Sequence, residues 1–286
     1  MIPATNHPPI LITGGRGMLG RDLTARLGER AVALDLPECD ITQPDSIARA
    51  LDEYKPASIV NCAAYTAVDK AEEQEELARR LNADAVELLA RAAKERGIHF
   101  VSISTDYVFH GHGEEPFPED APESAFGPLS IYGRTKLEGE LKIRAVGGDW
   151  AIVRTQWLYG RNGKNFIDSI AELAASRDRI RVVNDQVGAA TWTVDLAEGL
   201  EKIVDARATG VYHIVNSGYG SWFDVASRVV QNLKLNCIVE PCTSDEFPRP
   251  AARPHNSRLL QTKYAALAGA PLRPWTEAVD EYLSQK

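Results

Sequence analysis

The chain reads as an α/β protein with a doubly wound parallel sheet, followed by a smaller and less regular domain. Two observations carry that reading. Short apolar runs alternate with amphipathic helical stretches over the first 155 residues, and the first apolar run ends in a glycine-rich loop that opens a helix. Alternation of strand and helix predicts parallel strands with helices on both faces of the sheet.

Each element follows from its local pattern. Ile10–Thr13 is a short apolar strand, and residues 19–27 form an amphipathic helix. Residues 31–35 are a second strand, 46–54 a helix, and 58–63 a third strand. A long helical region covers 68–96 and is broken near Asn82; strand 99–104 follows it. A helix carries Lys136 and runs to about Arg144, and Trp150–Thr155 is the next strand. The acidic run Glu72-Glu73-Gln74-Glu75-Glu76 reads as a solvated helix face, and the proline-rich stretch Pro248 to Pro254 resists regular structure. The predicted division is a Rossmann-type domain over 1–155, to which 193–216 return as helix and strand, and a second domain from 156–191 and 217–286.

Composition limits the function. A chain of 286 residues with 44% hydrophobic content has enough apolar material for a sizeable core. Its net charge of −8 argues against a nucleic-acid partner, which calls for a basic surface. The four cysteines, Cys39, Cys62, Cys237 and Cys242, are scattered, show no zinc spacing, and suit a reducing cytoplasm. Met1 to Pro9 lacks a basic segment followed by an apolar core, so no signal peptide is expected. No run approaches the roughly 20 apolar residues of a membrane span. The oligomeric state is not legible.

The loop Thr13-Gly14-Gly15-Arg16-Gly17-Met18-Leu19-Gly20 satisfies G-x-G-x-x-G through Gly15, Gly17 and Gly20, and G-x-x-G-x-x-G through Gly14, Gly17 and Gly20. Glycines there allow a tight turn and a close approach of pyrophosphate to the backbone, and the helix start offers N–H donors. Asp35, about 20 residues on, is placed to bind ribose hydroxyls. The expected ligand is a dinucleotide, NADPH or NADH. Asp35 favours NAD, whereas Arg16 would attract a 2′-phosphate or remain a solvated loop cation.

Tyr132-Gly133-Arg134-Thr135-Lys136 supplies the chemistry. On a helix, residues four apart share a face. An ammonium beside a phenol stabilises its ionised form and lowers its pKa, so the phenol can donate a proton to a carbonyl oxygen as a hydride reaches the carbon. His110-Gly111-His112 lacks further ligands and reads as a loop, and no catalytic metal is expected.

Six segments in this order resemble the extended short-chain dehydrogenase/reductases and, within them, the dTDP-4-dehydrorhamnose reductase family. They are Asn61 to Glu72 (NCAAYTAVDKAE), Ser104 to Phe109 (STDYVF), Pro128 to Lys136 (PLSIYGRTK), Arg154 to Tyr159 (RTQWLY), Asn184 to Gly188 (NDQVG) and Arg253 to Leu259 (RPHNSRL). The resemblance covers nearly the whole chain. It implies reduction of the C4 ketone of a dTDP-4-dehydro sugar, with Tyr132 as proton donor, Lys136 stabilising the tyrosinate and bonding the nicotinamide ribose, and Thr105 bonding the reacting oxygen. It further implies Gly14, Arg16, Gly17, Met18, Leu19 and Asp35 at the cofactor phosphates and ribose, Asp40 and Ile41 by the adenine, and Ala64, Tyr65 and Thr66 along the nicotinamide. On the sugar-nucleotide side it implies Asp69, Asp106, Trp157, Arg253 and Asn256. Residue chemistry leaves plainer roles open: a turn cap for Asp106, core for Trp157, a helix cap for Asp69, and a surface ion pair for Arg253.

Two departures from the family pattern stand out. Residues 120–128 are a few residues longer than expected, and Ser130 replaces an expected asparagine. Three other functions remain open on the sequence. A 4,6-dehydratase is disfavoured, because Tyr107 stands where such enzymes place a glutamate. A ketoreductase for another 4-keto-6-deoxysugar would share the fold and the triad. A regulatory subunit resembling that of methionine adenosyltransferase would bind a partner without catalysis.

Overall fold

Strand β1 (Ile10–Thr13) alternates its side chains in period two: Ile10 and Ile12 enter one apolar cluster and Leu11 the opposite one. A strand that is apolar on both faces requires cover on both, and the computed structural model, which describes residues 8–286, provides it. The expectation about Met1 to Pro9 therefore falls mostly outside the described residues.

In chain order β1 is followed by α1 (Met18–Leu27), β2 (Ala31–Leu34), α2 (Pro44–Tyr54), β3 (Ser58–Asn61), α3 (Val68–Ala71) and α4 (Glu75–Arg79). A π-helical turn at Arg80–Asp84 leads into α5 (Ala85–Glu95), β4 (His99–Thr105), α6 (Ile131–Val146) and β5 (Trp150–Thr155). The break expected near Asn82 is thus a π turn; the acidic run is not one helix face, because a turn separates α3 from α4. Glu72 in that turn accepts the Ile131 N–H at 2.8 Å and so tethers the start of α6.

The chain continues through β6 (Leu158–Tyr159), α7 (Phe166–Ser176), β7 (Arg179–Val183), β8 (Val187–Gly188), β9 (Thr191–Trp192), α8 (Thr193–Asp205) and β10 (Gly210–His213). It ends with β11 (Asn216–Ser217), β12 (Gly220–Ser221), α9 (Trp222–Asn232), β13 (Ile238–Cys242), α10 (Thr262–Ala268), β14 (Leu272–Pro274) and α11 (Trp275–Ser284). Pro248 to Pro254 is irregular, as expected. No helix among the described residues is long and apolar enough to cross a membrane.

The six-stranded sheet runs β10-β5-β4-β3-β1-β2, with every pair parallel. Residues 193–213 therefore return α8 and β10 to it. On one face, Leu19, Leu23 and Leu27 of α1 and Leu196, Leu200 and Ile203 of α8 cover the strands. On the other, Ile47 and Leu51 of α2, Val86 and Leu89 of α5 and Ile143 of α6 do so. A separate cluster joins α7, α9, α11 and β7 through residues such as Ile170, Val182, Val229, Val279 and Tyr282. Strand order reverses between β1 and β3, and the crevice above such a switch point is where open α/β sheets bind ligands.

Candidate active site

A cavity of about 650 Å³ opens above the carboxyl ends of β1, β3, β4 and β5, a size typical of small-molecule sites. Its floor is the glycine loop. Gly14 has φ +70°, and a Cβ there would stand 2.6 Å from the Ala63 nitrogen; a Cβ on Gly20 would stand 2.3 Å from the Gly14 oxygen. The loop therefore folds against β3 and α1 only with glycine at both positions. No side chain caps the start of α1, so its first N–H groups stay free for an anion.

The catalytic candidates come from two neighbouring elements. Thr105 ends β4, and Tyr132 and Lys136 lie on the first turns of α6, which starts at Ser130. The Ser130 hydroxyl accepts the Gly133 N–H at 3.2 Å, which gives the unexpected serine a helix-capping role. A Cβ on Gly133 would lie 2.4 Å from the Tyr107 carbonyl oxygen, so α6 abuts the turn after β4 and sets Tyr132 beside Thr105. The rings of Tyr107 and Tyr132 meet edge-on at 5.6 Å.

Electrostatics correct one expectation. Burial pushes the Tyr132 phenol up to about 12, with the Thr105 hydroxyl pulling the other way. The Lys136 ammonium donates to the Ile103 carbonyl at 2.6 Å, and its own pKa is pushed down to about 8 by burial, against the opposing charge of Glu140. In this state the lysine does not lower the phenol, which keeps its proton. Asp106 is pushed up to about 6 by burial, opposed by hydrogen bonds from the Ser257 and Thr105 hydroxyls.

Of the residues singled out in the sequence, Gly14, Gly17, Met18, Leu19, Asp35, Asp40, Ile41, Ala64, Thr66, Thr105, Asp106, Tyr132, Lys136 and Trp157 all line the cavity. Trp157 adopts φ +48°, a strained value for a bulky residue, and stacks on Trp222 at 3.8 Å. Five others are engaged elsewhere. The Arg16 guanidinium pairs with Glu38, and the Tyr65 hydroxyl donates to Gln74. Asp69 and Arg253 bind each other in a two-pronged pair of 2.5 and 2.9 Å, which holds the aspartate below its ordinary range. Asn256 is buried, donates to the Glu115 carbonyl and accepts from Arg258. It is a loop brace, not a cavity residue.

Four contributors escaped the sequence. Asn82, in the π turn, accepts the Tyr65 N–H at 2.9 Å and donates to the Thr135 hydroxyl at 3.1 Å, clamping the loop after β3 to the residue before Lys136. Thr155 and Gln156 line the cavity, and the Thr155 hydroxyl and Gln156 amide are buried behind its wall with no partner among the described residues. Glu140, one turn beyond Lys136, accepts 2.9 and 2.7 Å bonds from fully buried Arg154 and one from Ser104 at 2.6 Å. The position of Thr155 directly beside Thr105 in the sheet register was a usable signal, by the strand-end rule alone.

The residues present fit a dinucleotide: a glycine cradle, a helix start with no side-chain cap, and the Asp35 carboxylate on the wall. Comparison with known proteins agrees. The family model of the RmlD substrate binding domain matches residues 8–286. A probable dTDP-4,6-dihydroxy-2-methyloxan-3-one 4-ketoreductase of Streptomyces antibioticus is 42% identical, covering 95% of this chain and 93% of its own. A dTDP-4-dehydrorhamnose reductase from Clostridium acetobutylicum superposes with a TM-score of 0.92 at 41% identity, covering 97% and 99% of the two chains. That of Bacillus anthracis, in complex with NADP, gives 0.92 at 34% identity, covering 98% and 100%. With a match of this extent in both sequence and fold, the chain belongs to the dTDP-4-dehydrorhamnose reductase family of extended short-chain dehydrogenase/reductases, a family of NAD(P)H-dependent oxidoreductases.

Proposed function

We propose that this protein reduces the C4 ketone of dTDP-4-dehydro-β-L-rhamnose to dTDP-β-L-rhamnose with NAD(P)H, in the cytoplasm. The observation that carries the reading is that one cavity brings Tyr132, Thr105 and Lys136 together with the glycine loop and Asp35. When bound, the dihydronicotinamide supplies the hydride. Tyr132, which holds its proton well above neutral pH, donates it to the carbonyl oxygen as that oxygen gains charge. The Thr105 hydroxyl, whose single proton here goes to Asp106 at 3.0 Å, would turn it to the same oxygen when the substrate is bound. Lys136, still mostly an ammonium at neutral pH, is one helical turn away and would stabilise the tyrosinate left behind once it turns from the Ile103 carbonyl. Asp106 orients Thr105, and Trp157 offers the sugar an apolar wall. The nucleotide-sugar is held between the sheet domain (1–155 with 193–216) and the smaller domain (156–191 and 217–286), whose Trp157 and Trp222 reach the cavity.

A second reading is reduction of a different dTDP-4-keto-6-deoxysugar, supported by the name of the Streptomyces antibioticus relative. One experiment tests both: oxidation of NADH and NADPH with dTDP-4-dehydro-L-rhamnose made in situ from dTDP-glucose, with Tyr132→Phe alongside and the product sugar identified by NMR. Turnover to dTDP-L-rhamnose that is lost in the variant supports the first reading. Cofactor binding without turnover of this sugar sinks it and favours the second.

A further inference from the structure

The adenosine end of the cavity contains an arrangement that bears on which dinucleotide binds. Asp35 lines the cavity, and its carboxylate is fixed by two backbone donors, the Arg16 N–H at 3.1 Å and the Leu36 N–H at 2.9 Å. A carboxylate held this way accepts a bond from a free ribose hydroxyl and repels a 2′-phosphate. The cation whose backbone meets Asp35, and which could offset this repulsion, is Arg16. Its guanidinium is drawn across the turn after β2 instead, donating to the Leu36 carbonyl at 2.5 Å and to Glu38 at 2.5 Å. The side chains of Arg16 and Glu38 are 57% and 47% exposed, so the guanidinium is held by two contacts at the surface, this pairing and the Leu36 carbonyl. Arg21, one turn on, spends its Nε–H on the Arg16 carbonyl.

We infer that Glu38 sets the cofactor preference: by retaining the Arg16 guanidinium it leaves Asp35 to select a free 2′-hydroxyl, and the protein binds NADH more tightly than NADPH. This rests on the dinucleotide-binding reading of the glycine loop. A 2′-phosphate adds close to two negative charges beside Asp35 and Glu38 while the one guanidinium at hand is already neutralised. The pair is exposed and therefore weak, so removing the Glu38 charge leaves Arg16 held by the Leu36 carbonyl alone and easier to draw toward a 2′-phosphate.

Dissociation constants for NADH and NADPH, read from nicotinamide fluorescence without any sugar, test the inference in the wild type, Glu38→Gln and the Glu38→Gln/Arg16→Ala double variant. The wild type is expected to favour NADH by roughly tenfold or more at low salt, and the preference should shrink as salt screens the phosphate. Glu38→Gln should narrow the ratio by about fivefold, the span of one exposed ion pair, and the double variant should restore it. Circular dichroism checks that each variant is folded. Equal or tighter NADPH binding by the wild type, or an unchanged ratio in folded Glu38→Gln, overturns the inference while leaving dinucleotide binding intact. Failure to bind either cofactor overturns both.

Discussion

Replacing Gly133 with alanine tests whether the placement of Tyr132 depends on the close approach of α6 to the turn after β4. The added Cβ would stand 2.4 Å from the Tyr107 carbonyl oxygen and 3.0 Å from Pro128, where ordinary contact begins near 3.4 Å. The start of α6 must therefore retreat from Tyr107 by about 1 Å, and it is also tethered there by Glu72 through the Ile131 N–H, so overpacking should destabilise the fold by about 1–3 kcal/mol. Tyr132 is the adjacent residue and moves with the helix. A displacement of about 1 Å at a reacting group lowers turnover by roughly 10²-fold. The glycine loop lies on other elements, so NADH should still bind, weakened only at the nicotinamide end where Lys136 moves with α6. The assay combines steady-state reduction of the 4-keto sugar, NADH fluorescence titration and a urea unfolding curve. Turnover within threefold of wild type, with an unfolding midpoint unchanged, would refute the argument that this contact sets the acid.

Tyr132→Phe removes the acid and should lower kcat by about 10²–10⁴-fold; Thr105→Val, which removes one hydrogen bond to the reacting oxygen, should lower it less in the same assay, and the reverse order would exchange their roles. Because Lys136 is needed as an ammonium and burial pushes it down to about 8, kcat should fall as pH rises through that value; a profile flat from about pH 6 to about pH 9.5 would count against it. Arg154→Met strands buried Glu140 without its two-pronged partner and should cost about 3–5 kcal/mol in chemical denaturation; a loss under 1 kcal/mol would mean the pair is dispensable. Gln156→Leu removes a buried amide that has no partner among the described residues, so the unliganded protein should gain about 1 kcal/mol while KM for the cofactor or sugar rises; unchanged KM values would remove Gln156 from the site.

Much of the architecture was legible because local chemistry determined it. Ile10–Thr13 and the apolar run 150–153 are too short and too apolar to be anything but buried strands, and alternation with helices makes them parallel. Glycines 14, 17 and 20 after a strand, with Asp35 at the end of the next, specify a loop whose conformation depends on missing side chains. The spacing of Tyr132 and Lys136 specifies a shared helix face. These are short-range constraints, and a single sequence carries them.

What the tertiary structure decided are partnerships between distant residues. Asp69 and Arg253 are 184 residues apart, and each alone looked like a ligand for substrate; folding pairs them with each other because opposite charges brought together satisfy one another first. Asn256 bonds a carbonyl 141 residues away, and Asn82 reaches across 53 residues to Thr135. The state of the phenol also escaped local reading. Spacing places the lysine on the same face, but burial governs the proton, and burial is a property of the assembled protein. The sequence by itself determined the fold class, the glycine loop and the shared helix face of Tyr132 and Lys136. Only the folded chain decided which charged groups remain free for a ligand, because that depends on pairing across the whole molecule.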